Sequence, residues 1–307
     1  MPELRARWRV ARATVTAGRI ADTDESIRTC RNTRSSSVPA TLSGAFSVSY
    51  IVGVIPIKTQ FLILLASALS LASSANAEIL FSDKFDEQSF SGWRPSGNNT
   101  ATIVNSPIRS GNYAAELKLD RLMDRVPWRT ELRLQRPSFD IGKEYWIGFS
   151  NQIPSAGDAG FFTMQLHKRP DAGDQGGRQP LLLRANSSGY NIHVNYDANA
   201  MTTASTEGRQ IFSAGSLNNG QYTDWVIHVD FSFQSDGLLE IWKNGSMIVN
   251  YQGPNCYNDA LGPYMKVGIY IPGWKSRSGA TDANKRTIYY DEVKVGDAAS
   301  SYNEVAP

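Results

Sequence analysis

The stretch from Trp225 to Tyr251, WVIHVDFSFQSDGLLEIWKNGSMIVNY, decides the fold class. Successive side chains of a strand point to opposite faces, and Trp225, Ile227, Val229, Phe231 and Phe233 all fall on one of them. Asp236-Gly237 and Asn244-Gly245 then break the run into three pieces. Asp-Gly and Asn-Gly between alternating runs are the strongest short hairpin signals, because these residues accept the positive φ that a tight two-residue turn demands. The spacing predicts an antiparallel meander.

Working outward, the same reading predicts strands at Ala114 to Leu119, Tyr145 to Gln152, Leu181 to Ala185, Tyr190 to Tyr196 and Thr287 to Val295, and no long stretch carries a helical period. Many strands joined by short turns imply an all-β chain folded as a two-sheet antiparallel β-sandwich, of the jelly-roll, concanavalin-like kind, with a concave cleft. His167 to Pro180 and Tyr196 to Gln210 read as long polar loops, which are often functional or mobile and here would rim that cleft.

The N-terminal quarter reads differently. Phe61 to Ala72 is an apolar run of 12 residues between Lys58 and Ala75-Asn76-Ala77, the basic, apolar and small-residue order of a secretory signal. It is shorter than the roughly 20 residues of a spanning helix. The expected organisation is a non-native or disordered extension over 1–57, a signal peptide over 58–77 cleaved after Ala77, and one domain over 78–307. On that reading translation starts at a non-Met codon near Val52 or Val54. An organelle transit peptide is the rival, opposed by Asp22, Asp24 and Glu25. The product is expected to be secreted or periplasmic, free of the membrane after cleavage, and monomeric.

Residues 78–307 carry a net charge of −3, so the excess positive charge of the full sequence belongs to the leader. This removes the main electrostatic support for a nucleic-acid partner. Cys256 is the single cysteine after residue 77, so no disulfide is available within that part of the chain.

Three further strand-like segments, RTELRL (Arg129 to Leu134), MQLHKR (Met164 to Arg169) and YMKVGIY (Tyr264 to Tyr270), set hydrogen-bonding and ionisable side chains on alternate positions. Arg129, Glu131 and Arg133 oppose Thr130, Leu132 and Leu134; Gln165 and His167 oppose Met164 and Leu166; Tyr264, Lys266 and Tyr270 oppose Met265, Val267 and Ile269. Each reads as a strand with one face in a core and the other in a chemically equipped surface.

In this order, Arg-Thr-Glu-Leu, Gln-x-His and Tyr-x-Lys-x-Gly-x-Tyr resemble the β-jelly-roll polysaccharide lyases, a group that includes glucuronan lyases, heparin lyase I and a family of alginate lyases. The strings DGLLEIWKNG, GPYMKVGIY and RTIYYDEVKVG are most similar to the heparin lyase I and glucuronan lyase branch, and the likeness extends over nearly all of residues 81–296. The resemblance implies β-elimination on an acidic, uronic-acid polysaccharide, cutting at the bond to O4. It implies Arg129 and Gln165 as carboxylate binders, Tyr270 as the acid, and His167 or Tyr270 itself as the base. Lys266 would support charge. Physical chemistry matches: loss of the C5 proton builds a second negative charge on the carboxylate, and fixed donors aimed at developing charge are usually the largest catalytic contribution. Unperturbed His titrates near neutrality, and positive charge near a Tyr lowers its pKa.

Glu131 would orient Arg129, with Arg133, Tyr264 and Lys168 also meeting substrate. Trp128 and Trp274 offer rings for sugar stacking, whereas Trp146, Trp225 and Trp242 fit core positions. His193 and His228 read as structural, and Lys168, Arg169 and Arg178 would supply local basicity from one loop. Ile271-Pro272 departs from the Asn-Gln of alginate-type members, and the slightly acidic domain disfavours densely sulfated heparin. An unsulfated, β-1,4-linked polyglucuronate is the preferred expectation. Calcium supports some heparin lyases, but no Asp-rich loop of the EF-hand type appears, so no metal or other cofactor is expected. The rivals are a glycoside hydrolase, for which the Glu-x-Asp-x-x-Glu string of sandwich β-glucanases is missing, and a non-catalytic carbohydrate-binding module, which has no use for Arg, Gln, His, Lys and Tyr together.

Overall fold

The computed structural model describes residues 76–97, 101–122, 128–274 and 284–307. The expected extension and nearly all of the expected signal peptide lie outside the described residues. Fifteen strands follow in chain order: β1 (Ile79–Asp83), β2 (Trp93–Gly97), β3 (Ala101–Val104), β4 (Ala114–Asp120), β5 (Arg129–Leu134), β6 (Glu144–Gln152), β7 (Phe161–Arg169), β8 (Leu181–Asn186), β9 (Gly189–Tyr196), β10 (Gly208–Ser213), β11 (Tyr222–Asp230), β12 (Leu238–Lys243), β13 (Ser246–Gln252), β14 (Leu261–Tyr270) and β15 (Lys285–Gly296). One short helix, α1 (Tyr302–Val305), ends the chain.

Two antiparallel sheets form a sandwich. The first runs β13-β12-β11-β6-β15-β4-β3 with β1 also on β15; the second runs β10-β9-β8-β7-β14-β5-β2. The meander read from Trp225 to Tyr251 is the β11-β12-β13 edge of the first sheet, with turns at the two Gly-containing dipeptides. Between the sheets lies a core that includes Leu117, Ile147, Phe149, Met164, Leu166, Trp225, Val267 and Tyr290, contributed by alternate residues of each strand.

Pattern reading missed β1, β2, β3 and β10. The first three are short, and β2 carries Pro95, which lowers any strand expectation. β10 occupies the end of what reads as a polar loop up to Gln210, because its burial is slight and it forms the edge of the second sheet. The two polar loops are fastened to each other: the backbone N–H groups of Thr202 and Gln175 donate to Asp174 Oδ1 (2.8 Å) and Thr202 O (2.9 Å), and Arg178 pairs with Glu207.

Of the strand tryptophans assigned to the core, Trp225 is there. Trp146 and Trp242 are only half-buried. They stack with each other at 5.8 Å on the outward positions of the first sheet, and Trp146 stacks on His228 at 3.9 Å. Strand parity explains this, since their neighbours Tyr145, Ile147 and Ile241 take the inward positions. His228 is structural, as expected, bridging Glu144 and Glu240.

Tyr290 ties the sheets together. Its ring is buried in the core on β15, and its hydroxyl donates to Thr163 O on β7 and accepts from the Gly268 N–H on β14 at 3.3 Å. Gly268 itself has φ +142, and a Cβ there would meet Thr130 O at 2.3 Å, so no other residue fits this approach of β14 to β5. Tyr290→Phe removes one partner from each of two buried backbone groups. A loss of about 1–3 kcal/mol is expected, read as a lower urea midpoint with an unchanged slope; an unchanged midpoint contradicts the cross-sheet role.

Candidate active site

The three polar-faced segments become β5, β7 and β14, which are neighbours in the second sheet. Their registers align the outward side chains. Lys266 on β14 stands opposite Arg133 on β5 and Gln165 on β7, and Arg133 stands opposite Arg94 on β2. Tyr264 is opposite His167, and Tyr270 is opposite both Arg129 and Phe162. The face so formed carries an open pocket of about 630 Å³, lined by Arg94, Arg129, Arg133, His167, Tyr264 and Lys266 among others.

Beneath this pocket sits Glu131, its side chain 2% exposed. Lys266 Nζ donates to Glu131 Oε2 at 3.1 Å, Arg129 Nη1 lies 3.9 Å from the same oxygen, and Gln165 Nε2 donates to Oε1. A carboxylate only accepts, so this contact fixes which end of the Gln165 amide faces it. Burial pushes the Glu131 carboxyl up, opposed by the Lys266 and Arg129 charges and by the hydrogen bonds from Lys266 and Gln165. One anion therefore holds three donors from three strands.

The remaining cations are not neutralised. Arg94, Arg133 and Lys266 stand side by side in one cross-strand row, and among the described residues neither Arg94 nor Arg133 makes an ion pair. Like charges directly opposite one another destabilise a sheet. Arg133 lies 3.9 Å over the Tyr264 ring, with Arg169 at 5.5 Å from the same ring, so the phenyl face absorbs part of the charge.

His167 stacks on Tyr264 at 4.9 Å. Its Nδ1 lies 2.9 Å from Lys168 O. A carbonyl accepts, so Nδ1 carries the proton and Nε2 keeps its lone pair. Burial, with Lys266, Arg129 and Arg133 adding to it against the Lys168 O contact, pushes His167 down to about 4. The ring is thus an uncharged acceptor at neutral pH. Tyr270 lies at the other end of the cluster, with Arg129 5.2 Å over its ring and Phe162 at 6.1 Å. From Phe162 to His167 is five residues of β7, roughly 16 Å of strand at ~3.3 Å per residue. Gln165 and Lys266 lie between, so His167 and Tyr270 flank the Glu131-anchored centre from opposite ends.

Other expected substrate contacts fall elsewhere. Trp274 is fully buried, with Arg286 5.4 Å over its ring, so it presents no face to a sugar. Trp128 is half-buried and packs against the core. Lys168 shares strand parity with Met164 and Leu166, points away from the groove, and is buried against Asp174 at 3.1 Å and the Tyr257 ring at 4.1 Å. The loop basicity expected from Lys168 and Arg178 is consumed by Asp174 and Glu207. Arg94 takes over that role. It escaped the sequence reading because its strand is short and contains Pro95; the in-out step from buried Trp93 to exposed Arg94 is the signal that marks it. Among the described residues no group of three or more His, Cys, Asp or Glu side chains is placed to hold a metal ion.

Glu131 generates a stability test. Removing one partner of a buried pair strands the other charge, at a cost of about 3–5 kcal/mol. Glu131→Ala is expected to lose stability on that scale, while Glu131→Met combined with Lys266→Met loses much less, both read by urea unfolding. A single mutant within 1 kcal/mol of wild type contradicts the anchoring role.

Comparison with known proteins agrees with this architecture. The chain superposes on an endo-β-1,4-glucuronan lyase from the fungus Trichoderma reesei with a TM-score of 0.61 at 18% identity, over 75% of this chain and 99% of that one. At that identity the likeness establishes the fold. Two others are more distant: the cellulose induced protein Cip1, with a TM-score of 0.45 at 15% identity over 72% of this chain and 97% of that one, and the alginate lyase Aly36B, with 0.43 at 15% over 71% and 97%. No curated protein sequence matches the chain. The family model described as polysaccharide lyase matches residues 83–294, which contain β5, β7 and β14 and more than half of the chain, and the chain therefore belongs to the polysaccharide lyase family.

Proposed function

We propose that this lyase is exported and cleaves a 1,4-linked polyuronate by β-elimination, with unsulfated β-1,4-polyglucuronate as its preferred substrate. The observation that carries this reading is the row of Arg94, Arg133 and Lys266, three cations set opposite one another with a single buried carboxylate beneath. Such a row is unfavourable in the empty protein and is relieved by an anion lying across it. Export rests on the signal-like order of residues 58–77.

In the proposed reaction the C5 carboxylate of the substrate binds against Arg129 and Lys266, with Gln165 beside them. Their charge stabilises the second negative charge that builds on that carboxylate as the C5 proton leaves. His167 Nε2 takes this proton. The electron pair of the C5–H bond becomes the C4=C5 double bond, the C4–O4 bond breaks, and O4 takes the hydroxyl proton of a tyrosine: Tyr270, as the family resemblance implies, or Tyr264, which stands beside His167. Binding of the carboxylate offsets the cations that depress His167, so the ring becomes more basic when substrate arrives. Gln165, itself only 3% exposed, acts chiefly by its hold on Glu131.

A second assignment of the acid has its own support. Tyr264 stacks directly on His167, whereas Tyr270 stands beside Arg129. Two variants separate them. Incubation of wild type with polyglucuronate is expected to release product with the ultraviolet absorbance of an unsaturated sugar. Tyr270→Phe should lower kcat about 10²- to 10⁴-fold, the usual contribution of a general acid, and Tyr264→Phe should act mainly on KM. The reverse pattern assigns the acid to Tyr264, and reducing ends without ultraviolet absorbance reject elimination.

The pH profile tests the base. A His held near 4 loses its lone pair only as the pH falls through that value, so the acid limb of kcat/KM, which reports the free enzyme, is expected near pH 4. His167→Asn should remove the limb along with most activity. An acid limb between pH 6 and 7, the ordinary range of an unperturbed imidazole at about 6.5, contradicts the depressed His167.

A further inference from the structure

The outward face of the second sheet does not end at Tyr270. The register that aligns Lys266 with Gln165 continues through Leu182 on β8 to His193 on β9. On β7, β8 and β9 this row floors a second hollow of about 210 Å³, lined by Phe162, Gln165, Leu182, His193, Arg209 and Tyr270 with two residues of the neighbouring loop. Gln165 and Tyr270 belong to the cluster described above, so the second hollow begins where that cluster stops.

Its polar groups are arranged rather than scattered. Arg209 Nη2 donates to His193 Nδ1 at 2.6 Å. A guanidinium has no acceptor, so Nδ1 is the bare nitrogen and the proton of the neutral ring is on Nε2. Burial, reinforced by the charges of Arg209, Arg184 and Arg178, pushes His193 down to about 4, which keeps the ring uncharged and able to hold Arg209. Arg178 is paired with Glu207. Arg209, by contrast, forms no ion pair among the described residues, and its guanidinium is oriented by a neutral ring that leaves its charge intact.

We propose that Arg209 and His193 form a second carboxylate subsite, which binds another uronate of the same polymer chain on the far side of Gln165 and Leu182 from Arg94, Arg133 and Lys266. This rests on the reading of the groove as a polyuronate site. From Lys266 to His193 is three strand spacings, about 14 Å at ~4.8 Å each, longer than a single sugar ring. The two subsites therefore grip separate sugars, and the enzyme selects chains in which uronates recur rather than an isolated uronate. The His193–Nε2 proton and the Arg209 guanidinium are both donors, as a carboxylate requires.

The test is calorimetric binding of β-1,4-linked glucuronate oligomers of two to six units to the Tyr270→Phe protein, with and without Arg209→Ala. Without the second change, affinity should step up once the oligomer is long enough to span both hollows. Arg209→Ala should weaken the long oligomers about tenfold, the worth of one charge-assisted hydrogen bond, leave the shortest ones within twofold, and keep the urea midpoint. Arg209→Lys should recover part of the loss. Equal weakening at every length, or no weakening at any, overturns the subsite. Failure of the lyase reading shows itself separately, as absence of unsaturated product from the wild-type protein, and leaves the length dependence of binding to be judged on its own.

Discussion

Everything at the groove depends on one buried carboxylate. Glu131 accepts from Lys266 and Gln165 and draws Arg129 toward it, joining β5, β14 and β7 at a single point. An ammonium as enclosed as Lys266 needs such a counter-charge. The arrangement fixes cations from two strands without cancelling them, since one negative charge stands beneath Arg129, Lys266 and the adjoining Arg133 and Arg94. Local positive charge on a mildly acidic domain is the result.

The sandwich supplies the rigidity this needs. Strand alternation sends Thr130, Leu132, Met164, Leu166, Met265 and Val267 inward, so the groove residues of β5, β7 and β14 stand on strands whose alternate side chains are core. Tyr290 carries the connection across the core to the backbone of Thr163 and Gly268, two and two residues from Gln165 and from Lys266 and Tyr270. A site built on strands, with its floor pinned from the opposite sheet, holds geometry better than one built on loops. The loops that do flank it are themselves tied down by Asp174 and Glu207.

Much of this is legible in the chain. The period-two alternation around Arg129, Gln165 and Tyr264 is enough to put the polar residues of each segment on one face, and Asp-Gly and Asn-Gly are enough to fold the meander. Which strands become neighbours is not a local property, so the alignment of Lys266 with Arg133 and Gln165 emerges only from the sheet order. Arg94 was hidden by a short, Pro-containing edge strand. His193 reads as a structural histidine because its partner, Arg209, lies on an edge strand that looks like loop. Trp274 and Lys168 looked available because they follow or adjoin motif residues, yet burial in one case and strand parity in the other take them out of the groove.

In the proposed function this groove grips a uronate carboxylate over the Glu131-anchored cations. A crystal structure of the Tyr270→Phe protein with a glucuronate tetramer tests it most directly. One carboxylate of the bound sugar chain is expected within hydrogen-bond distance of Arg129 and Lys266, with its C5 facing His167 Nε2. An oligomer seated on another face, or lying in the groove with all its carboxylates turned to solvent, contradicts it.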